Sequence, residues 1–376
     1  MIKRILFVLC VIAAVSMFGS CNDSIYYTIS KEVIPVEARI KGGPTNFAVY
    51  ENYMYVASGS KLFRYKNEIW DEQIPQPGGR IRQLASTGIY LYALCHKDEN
   101  PTGTTVLKRY DNSSSQWQEI KGVNDGYDTF QSIFSANGVL FIGAERTDSF
   151  AILRVDGDAF RVLMLTGLKA MLCGVVSYEK TRYFLCTEGH TQDDSKTGGI
   201  YICNADFTVG EKPIPNTIGV QFTGIINLND SVVAIDRKGN LYIVTQEGIS
   251  GSVASLSRES TGALAIWRAA SNAPTLLLAG RGSLVEGYTY GYMELNFTNG
   301  VSSWKFSEPG ENFPISSITD GNKELYISTI GKESITHIFQ TPRDVDTKMT
   351  LFASTQQNGV WSYKVRDGKL QWNAEK

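Results

Sequence analysis

The chain has 376 residues, 36 basic against 38 acidic side chains, a formal net charge of −2 and 43% hydrophobic residues. That length supports one large core or two ordinary domains, and a balanced charge without a basic stripe argues against a nucleic-acid partner. Six cysteines are too sparse for a disulfide scaffold and lack the close pairing of a zinc site.

The N-terminus comes first. Lys3 and Arg4 precede an apolar run from Ile5 to Phe18, which ends in Gly19, Ser20 and Cys21. A basic start, a short apolar stretch and small residues form the three-part pattern of a secretory signal. The run is too short to span a bilayer, which takes roughly 20 apolar residues, and no later segment approaches that length. Phe18-Gly19-Ser20-Cys21 resembles the lipobox of bacterial lipoproteins, with Phe18 where leucine is usual. The resemblance implies cleavage before Cys21 and acylation of that residue. Several acyl chains, at ~0.8 kcal/mol per buried methylene, anchor a protein stably. Residues 1–20 therefore read as signal, 21–45 as a lipid-anchored tether and 46–376 as the folded part. The expected location is the cell envelope, lipid-anchored at an outer membrane and facing periplasm or surface, although the polar Asn22-Asp23-Ser24 do not choose between that and the inner membrane.

Beyond the tether the sequence repeats. Tyr53-Met54-Tyr55-Val56-Ala57, Lys61-Leu62-Phe63-Arg64-Tyr65 and Ile69-Trp70-Asp71 form one unit. Tyr90-Leu91-Tyr92-Ala93, Val106-Leu107-Lys108-Arg109-Tyr110 and Gln116-Trp117-Gln118 repeat it. Further copies begin at Val139 and, near the end, at Leu351, with Trp361 and Trp372. Weaker ones run from Met171, Val220, Gly262 and Ile315. Each unit is preceded by another short apolar run, such as Asn46 to Tyr50, Ile81 to Ala85 or Phe130 to Phe134. Lys66-Asn67, Asp111-Asn112, Asp156-Gly157 and Asp367-Gly368 supply the turn chemistry that hairpins need. Helical period is almost absent, and 19 tyrosines suit pleated, half-buried surfaces. Four strands per unit at periods of about 35 to 60 residues make the blade of a β-propeller. The fold class is all-β: a single propeller of seven blades, each of four antiparallel strands. Eight is the alternative, because the last unit is long and a strand near Tyr26 to Ile29 could close the ring.

Gly239-Asn240-Leu241-Tyr242-Ile243-Val244 resembles the strand signature of NHL and quinoprotein-like blades. The whole chain is similar to the lipoprotein propellers of diderm bacteria, spirochaetes among them. That resemblance implies an envelope protein that binds rather than catalyses. The Trp-Asp endings of WD40 repeats, sialidase Asp-boxes and kelch double glycines are all missing.

Chemistry-bearing motifs are few. The three histidines are His96, His190 and His337. There is no nucleophile elbow, Walker loop or dinucleotide fingerprint, so no catalytic residue, cofactor or resident metal is expected. Two polar loops join second and third strands, which emerge on one face of a propeller. One carries His96, Asp98 and Glu99, the other His190, Asp193 and Asp194. Each offers a histidine with two carboxylates, which a metal can use, but solvated loops that bind a partner are the plainer reading. Tyr288, Tyr290 and Tyr292 share one strand face near Arg281. Arg281 and Tyr288 are binding candidates, unless the tyrosines pack between blades. Cys95, Cys173, Cys186 and Cys203 lie in apolar runs and read as buried thiols. Cys186 and Cys203 fall on runs joined by one loop, which leaves a disulfide open. The expectation is a monomeric, membrane-anchored binding propeller whose partner is an envelope protein or a cell-wall or surface component. The alternative is an envelope glycosidase or lyase with its site at the channel mouth.

Overall fold

Alternating aromatic and β-branched residues separated by Asn, Gly and Asp turns leave the chain one regular option, the antiparallel hairpin. At Glu51-Asn52, Asn67-Glu68 and Asn137-Gly138 both turn residues have positive φ, so these two-residue turns match the twist of their strands. A computed structural model describes residues 39–97, 103–120, 129–146, 149–166, 171–179, 181–188, 198–210, 212–228, 231–256, 259–268, 275–281, 291–296, 305–306, 330, 333–366 and 369–375. Among these no helix is long and apolar enough to cross a membrane. Cys21 and the strand expected near Tyr26 lie outside the described residues.

Blade one is β1 (Ala48–Tyr50), β2 (Tyr53–Ser58), β3 (Lys61–Lys66) and β4 (Ile69–Asp71). Blade two is β5 (Ile81–Ser86), β6 (Leu91–His96), β7 (Thr105–Asp111) and β8 (Gln116–Glu119). Blade three is β9 (Thr129–Ala136), β10 (Val139–Arg146), β11 (Ser149–Asp156) and β12 (Ala159–Thr166). Blade four has β13 (Met171–Tyr178), β14 (Arg182–Glu188) and β15 (Ile200–Cys203), with a Cys203–Val209 bridge where a fourth strand would pair. Blade five has β16 (Phe222–Leu228), β17 (Ser231–Asp236) and β18 (Asn240–Thr245), and its outer place is shared by β19 (Gly248–Ile249) and β20 (Ala254–Ser255). Blade six is β21 (Ser260–Trp267), β22 (Leu276–Arg281), β23 (Tyr292–Asn296) and β24 (Lys305–Phe306). Blade seven is β25 (Ile335–Gln340), β26 (Leu351–Thr355), β27 (Val360–Arg366) and β28 (Lys369–Ala374). Every sheet is an antiparallel meander. Trp70, Trp117 and Trp372 sit on the outermost strands, as the repeat predicts.

The first strands pack on one another around the axis. Seven apolar clusters fill the seven interfaces, one between each pair of neighbours. Leu84, Leu91 and Tyr55 join blades one and two. Phe141 and Leu185 join three and four. Leu278, Tyr292 and Trp372 join six and seven. Phe352, Met54 and Val56 join seven to one. The ring is therefore closed at seven blades.

Closure uses the start of the described chain as well. Residues 39–43 lie against blade seven, with Ile40 fully buried and the Val360 N–H donating to the Ile40 carbonyl at 3.3 Å. Trp70 and Tyr65 of blade one pack edge-to-face against Phe352, with ring centroids 5.8 and 4.9 Å apart. Two buried carboxylates clamp the polar ends of these rings. Glu375 accepts from Trp70 Nε1 at 2.7 Å, from Lys364 Nζ at 2.6 Å and from the Ser362 hydroxyl. Asp346 accepts from the Tyr65 hydroxyl at 3.0 Å and Thr350 Oγ1 at 2.6 Å.

The cysteines follow the expectation of free thiols and close the alternative that the sequence left open. Across β14 and β15, Cys186 is level with Ile200 and Cys203 with Tyr183. Cys186 packs towards blade five and Cys203 towards blade three, on opposite faces of the sheet. A hairpin register with period two cannot bring them together, and all four described cysteines are free thiols.

Glu375→Ala strips the acceptor from Trp70 and Lys364 at the seam. The expected loss is about 1–3 kcal/mol, the cost of leaving buried donors unsatisfied, read as a lower urea midpoint. Glu72→Ala, which removes only an exposed 3.8 Å pair with Arg39, should shift the midpoint little. Equal shifts would argue against the clamp.

Candidate functional site

Each inner strand has one edge turned to the channel or to the next blade, and its N–H and C=O groups need partners. Side chains from neighbouring blades supply many of them. The Asn46 amide donates to the Leu84 carbonyl at 2.7 Å and accepts from the Leu84 N–H at 2.9 Å. Gln83 does the same for Ile133, at 2.7 and 3.0 Å. Ser132 donates to Leu172 at 2.7 Å, and Ser354 donates to Thr45 at 2.8 Å across the seam.

A second repeated feature sits near the start of the inner strands. From blade two onward the pairing of first and second strands shifts register there, at Ile81/Gln83, opposite Gly143/Ala144, at Leu172/Gly174, Phe222/Gly224, Ser260/Leu264 and Ile335/His337. Each shift marks extra residues in the inner strand, a bulge of the kind that re-aims side chains beside binding sites. In three blades the bulged side chain caps the second strand: Cys173 Sγ on the Cys186 carbonyl at 3.4 Å, Thr223 Oγ1 on Ile235 at 3.4 Å and Thr336 Oγ1 on Ser354 at 3.2 Å. Around blades five and six the inner strands approach so closely that a Cβ on Gly224 would lie 2.6 Å from the Gly262 carbonyl oxygen.

At blades seven, one and two the same end of the ring opens into a concavity of about 470 Å³. Blade seven lines it with Thr336, His337, Thr355 and Gln356, blade one with residues 43–45 and Gly59, and blade two with Arg80, Ile81, Arg82 and His96. Arg82 is the bulged residue of β5. Both arginines are exposed, neither forms an ion pair with a described residue, and no described carboxylate lines the concavity. The surrounding protein disfavours the charged Arg82 guanidinium and lowers its pKa, while the more distant Glu145 of blade three works the other way. Burial pushes the His337 pKa down to about 4, so its imidazole is neutral at neutral pH.

Of the residues expected to bind, His96 does line this concavity, yet it also shapes its own loop. It is 6% exposed, and its Nδ1–H donates to the Gly103 carbonyl at 3.1 Å. Gly79, at φ +74°, crosses it so closely that a Cβ would fall 2.2 Å from the His96 carbonyl oxygen, a place only glycine can fill. Asp98, Glu99, His190, Asp193, Asp194 and Tyr288 lie outside the described residues. Arg281 is 6% exposed at the end of β22, inside blade six. Tyr292 is buried between blades six and seven and accepts from Trp372 Nε1 at 3.0 Å, so that tyrosine packs between blades. No group of three metal-ligating side chains occurs among the described residues. Sequence reasoning missed Arg80 and Arg82, which belong to no motif. Their one signal was two arginines flanking Ile81, at the start of an inner strand.

No protein-family model matches the chain, and no curated protein sequence does. Solved structures match in fold. YCF48 bound to D1 peptide gives a TM-score of 0.54 at 12% identity, over 87% of this chain and 93% of that one. The WD40 β-propeller domain of Doa1 gives 0.50 at 10% identity, over 90% and 95%. The GH74 enzyme of Niastella koreensis gives 0.57 at 12% identity, over 89% of this chain and 55% of the enzyme. The chain is a seven-bladed β-propeller.

Because the folded-state pKa of His337 lies below the ordinary value of about 6.5, its contribution to stability is complete above pH 6.5 and is lost as pH falls towards 4. Wild type should lose more melting temperature than His337→Gln between pH 7.5 and pH 5. Parallel losses would mean that the imidazole protonates freely in the fold.

Proposed function

We propose that this chain is a non-catalytic binding propeller, held at a cell envelope through acylated Cys21, whose channel mouth takes an anionic group of a protein partner. The observation that carries the reading is the pair of arginines, Arg80 and Arg82, without a described carboxylate in the same concavity. In a chain with a net charge of −2, that local excess of positive charge is a feature of the site. An incoming carboxylate would offset the cost of charging Arg82 and could engage a guanidinium by two parallel hydrogen bonds. The exposed Gln356 side chain offers a neutral amide donor on the opposite wall. YCF48, which shares this fold, binds the D1 peptide, and that supports a protein partner here. A glycan-cleaving enzyme needs two carboxylates flanking its substrate, and the described lining of the mouth presents arginine, histidine and threonine.

Binding of peptides ending in Asp or Glu is measured by fluorescence anisotropy against Lys-ended controls. Wild type should prefer the acidic set, with affinity falling as salt rises. Arg80→Ala/Arg82→Ala should weaken it roughly 10- to 100-fold, the loss of charged hydrogen bonds worth about 1.5–3 kcal/mol. Undiminished binding by the double variant moves the site elsewhere.

The anchor rests on Phe18-Gly19-Ser20-Cys21 and is tested apart. Cys21→Ala should abolish acyl incorporation and shift the protein out of the detergent phase. A variant that still partitions like wild type contradicts the lipoprotein reading.

A further inference from the structure

Two of the thiols are neighbours. In blade four, Gly174 of β13 stands level with Cys186 of β14, so the sulfur of Cys186 meets no side chain from its cross-strand partner. Gly174 is itself held to hydrogen there, since a Cβ would lie 2.6 Å from Ile225 Cγ2 of blade five. The register shift between Leu172 and Gly174 puts Cys173 in the bulge, on the face that Cys186 occupies. Its sulfur reaches the space the glycine leaves. The two Sγ atoms are 3.5 Å apart, and Cys173 Sγ also sits 3.4 Å from the Cys186 carbonyl oxygen. Cys186 is fully buried, whereas Cys173 is only partly so. Cys95 lies in another blade and Cys203 on the opposite face, so neither competes.

We propose that Cys173 and Cys186 are a disulfide-forming pair, oxidised by thiol–disulfide exchange with a small-molecule or protein disulfide. A bulge is where the backbone can yield, and closing the sulfurs to bond length needs only a small movement of the Cys173 side chain and its loop. Exchange begins at Cys173, the thiol that an external disulfide can reach. Its thiolate attacks one sulfur of the external disulfide and expels the other half as a thiol. Cys186 then gives up its proton and attacks the Cys173 sulfur, expelling the second half. Two electrons pass from the pair to the external disulfide, and two thiols are released. Burial pushes the Cys186 thiol up, so the second step is the slow one. The bond would pin the inner strand of blade four at its bulge, on the end of the ring where the concavity opens. It closes a loop of about a dozen residues, which constrains the unfolded chain.

The test uses the full mature chain with glutathione disulfide as oxidant, followed by alkylation, trypsin digestion without reductant and mass spectrometry. Cleavage at Lys169, Lys180, Arg182 and Lys196 places Cys173 and Cys186 on separate peptides. The expected result is a linked peptide lighter by two hydrogens and cleaved by reductant, with Cys95 and Cys203 alkylated only after denaturation. Recovery of both peptides unlinked, or a link containing Cys203, overturns the proposal. As a second readout, oxidised wild type should melt a few degrees above reduced wild type. Cys173→Ser should melt at one temperature in both conditions. A redox-dependent melt that survives in Cys173→Ser also counts against the pair.

Discussion

A blade of this protein is apolar on both faces, and that one constraint organises the rest. Tyr55 and Ala57 of blade one pack towards blade two, while Met54 and Val56, the alternate residues of the same strand, pack towards blade seven. No blade can bury both faces alone, and a linear stack would leave two faces bare at its ends. Joining the ends removes the problem, which is why the seventh interface matters as much as the other six. It is also the interface that no hairpin enforces, because its two sides come from opposite ends of the chain. The extra devices concentrate there: the edge-to-face cluster of Tyr65, Trp70 and Phe352, the buried Glu375 and Asp346, and residues 39–43 laid along blade seven. A buried carboxylate stabilises little by itself once its desolvation is counted. It does make one pairing of rings better than others, which suits a seam that must find its register without a connecting turn.

Closure then creates a second demand on the inner strands. Their edges carry backbone groups that no neighbouring strand pairs, and an unpaired buried group costs about 1–3 kcal/mol. Asn46 and Gln83 answer it with bidentate amide contacts, Thr105 by both donating to and accepting from Phe130, and Ser132 and Ser354 with single bonds. The bulges belong to the same economy of space. Near the start of the inner strands of blades two to seven, inserted residues break the alternation, and the side chains of Thr223 and Thr336 turn to cap the second strand. Where the inserted residue is Arg82 the side chain reaches the mouth, and where it is Cys173 it reaches another sulfur. One backbone device thus gives a structural cap, a charged contact or a reactive pair, according to the residue that fills it.

These particulars explain what could be read beforehand. Strand alternation, Asx–Gly turns and a tryptophan near the end of several units are local signals, so the seven blades and the outer positions of Trp70, Trp117 and Trp372 were legible. Bulges were not. One added residue leaves the apolar pattern nearly unchanged while shifting which side chains face each other. That is why Cys186 looked like a partner for Cys203, one loop away, when its neighbour is Cys173 across a bulge. Arg281 looked like a surface arginine because alternation cannot separate a face covered by the next blade from one covered by water. The β7–β8 turn was placed at Asp111-Asn112, and the left-handed residue is Ser115, at φ 52°. The arginines at the mouth escaped notice because a site assembled from three blades leaves no spacing in the chain.

The position of the mouth relative to the seam would couple the proposed binding to folding. Blade two supplies Arg80 and Arg82, blade seven supplies Thr336 and Gln356, and blade one lies between them. The Ser354–Thr45 contact crosses the seam beside it, and Gly43 is pressed so close to the Gln356 carbonyl that a Cβ there would lie 2.6 Å from its oxygen. A ligand that touches both walls therefore binds only when the two ends of the chain have met. Such a ligand stabilises the closed ring by mass action, about 2.7 kcal/mol at a hundredfold excess over its dissociation constant. That increment is comparable with what one buried hydrogen-bonded clamp contributes. The converse holds too, because the coupling is reciprocal. A substitution that loosens the seam, such as one at Glu375, lowers ligand binding at the mouth only in proportion to the fraction of molecules whose ring has opened, so its effect on binding emerges near the unfolding midpoint, where the ligand in turn raises that midpoint.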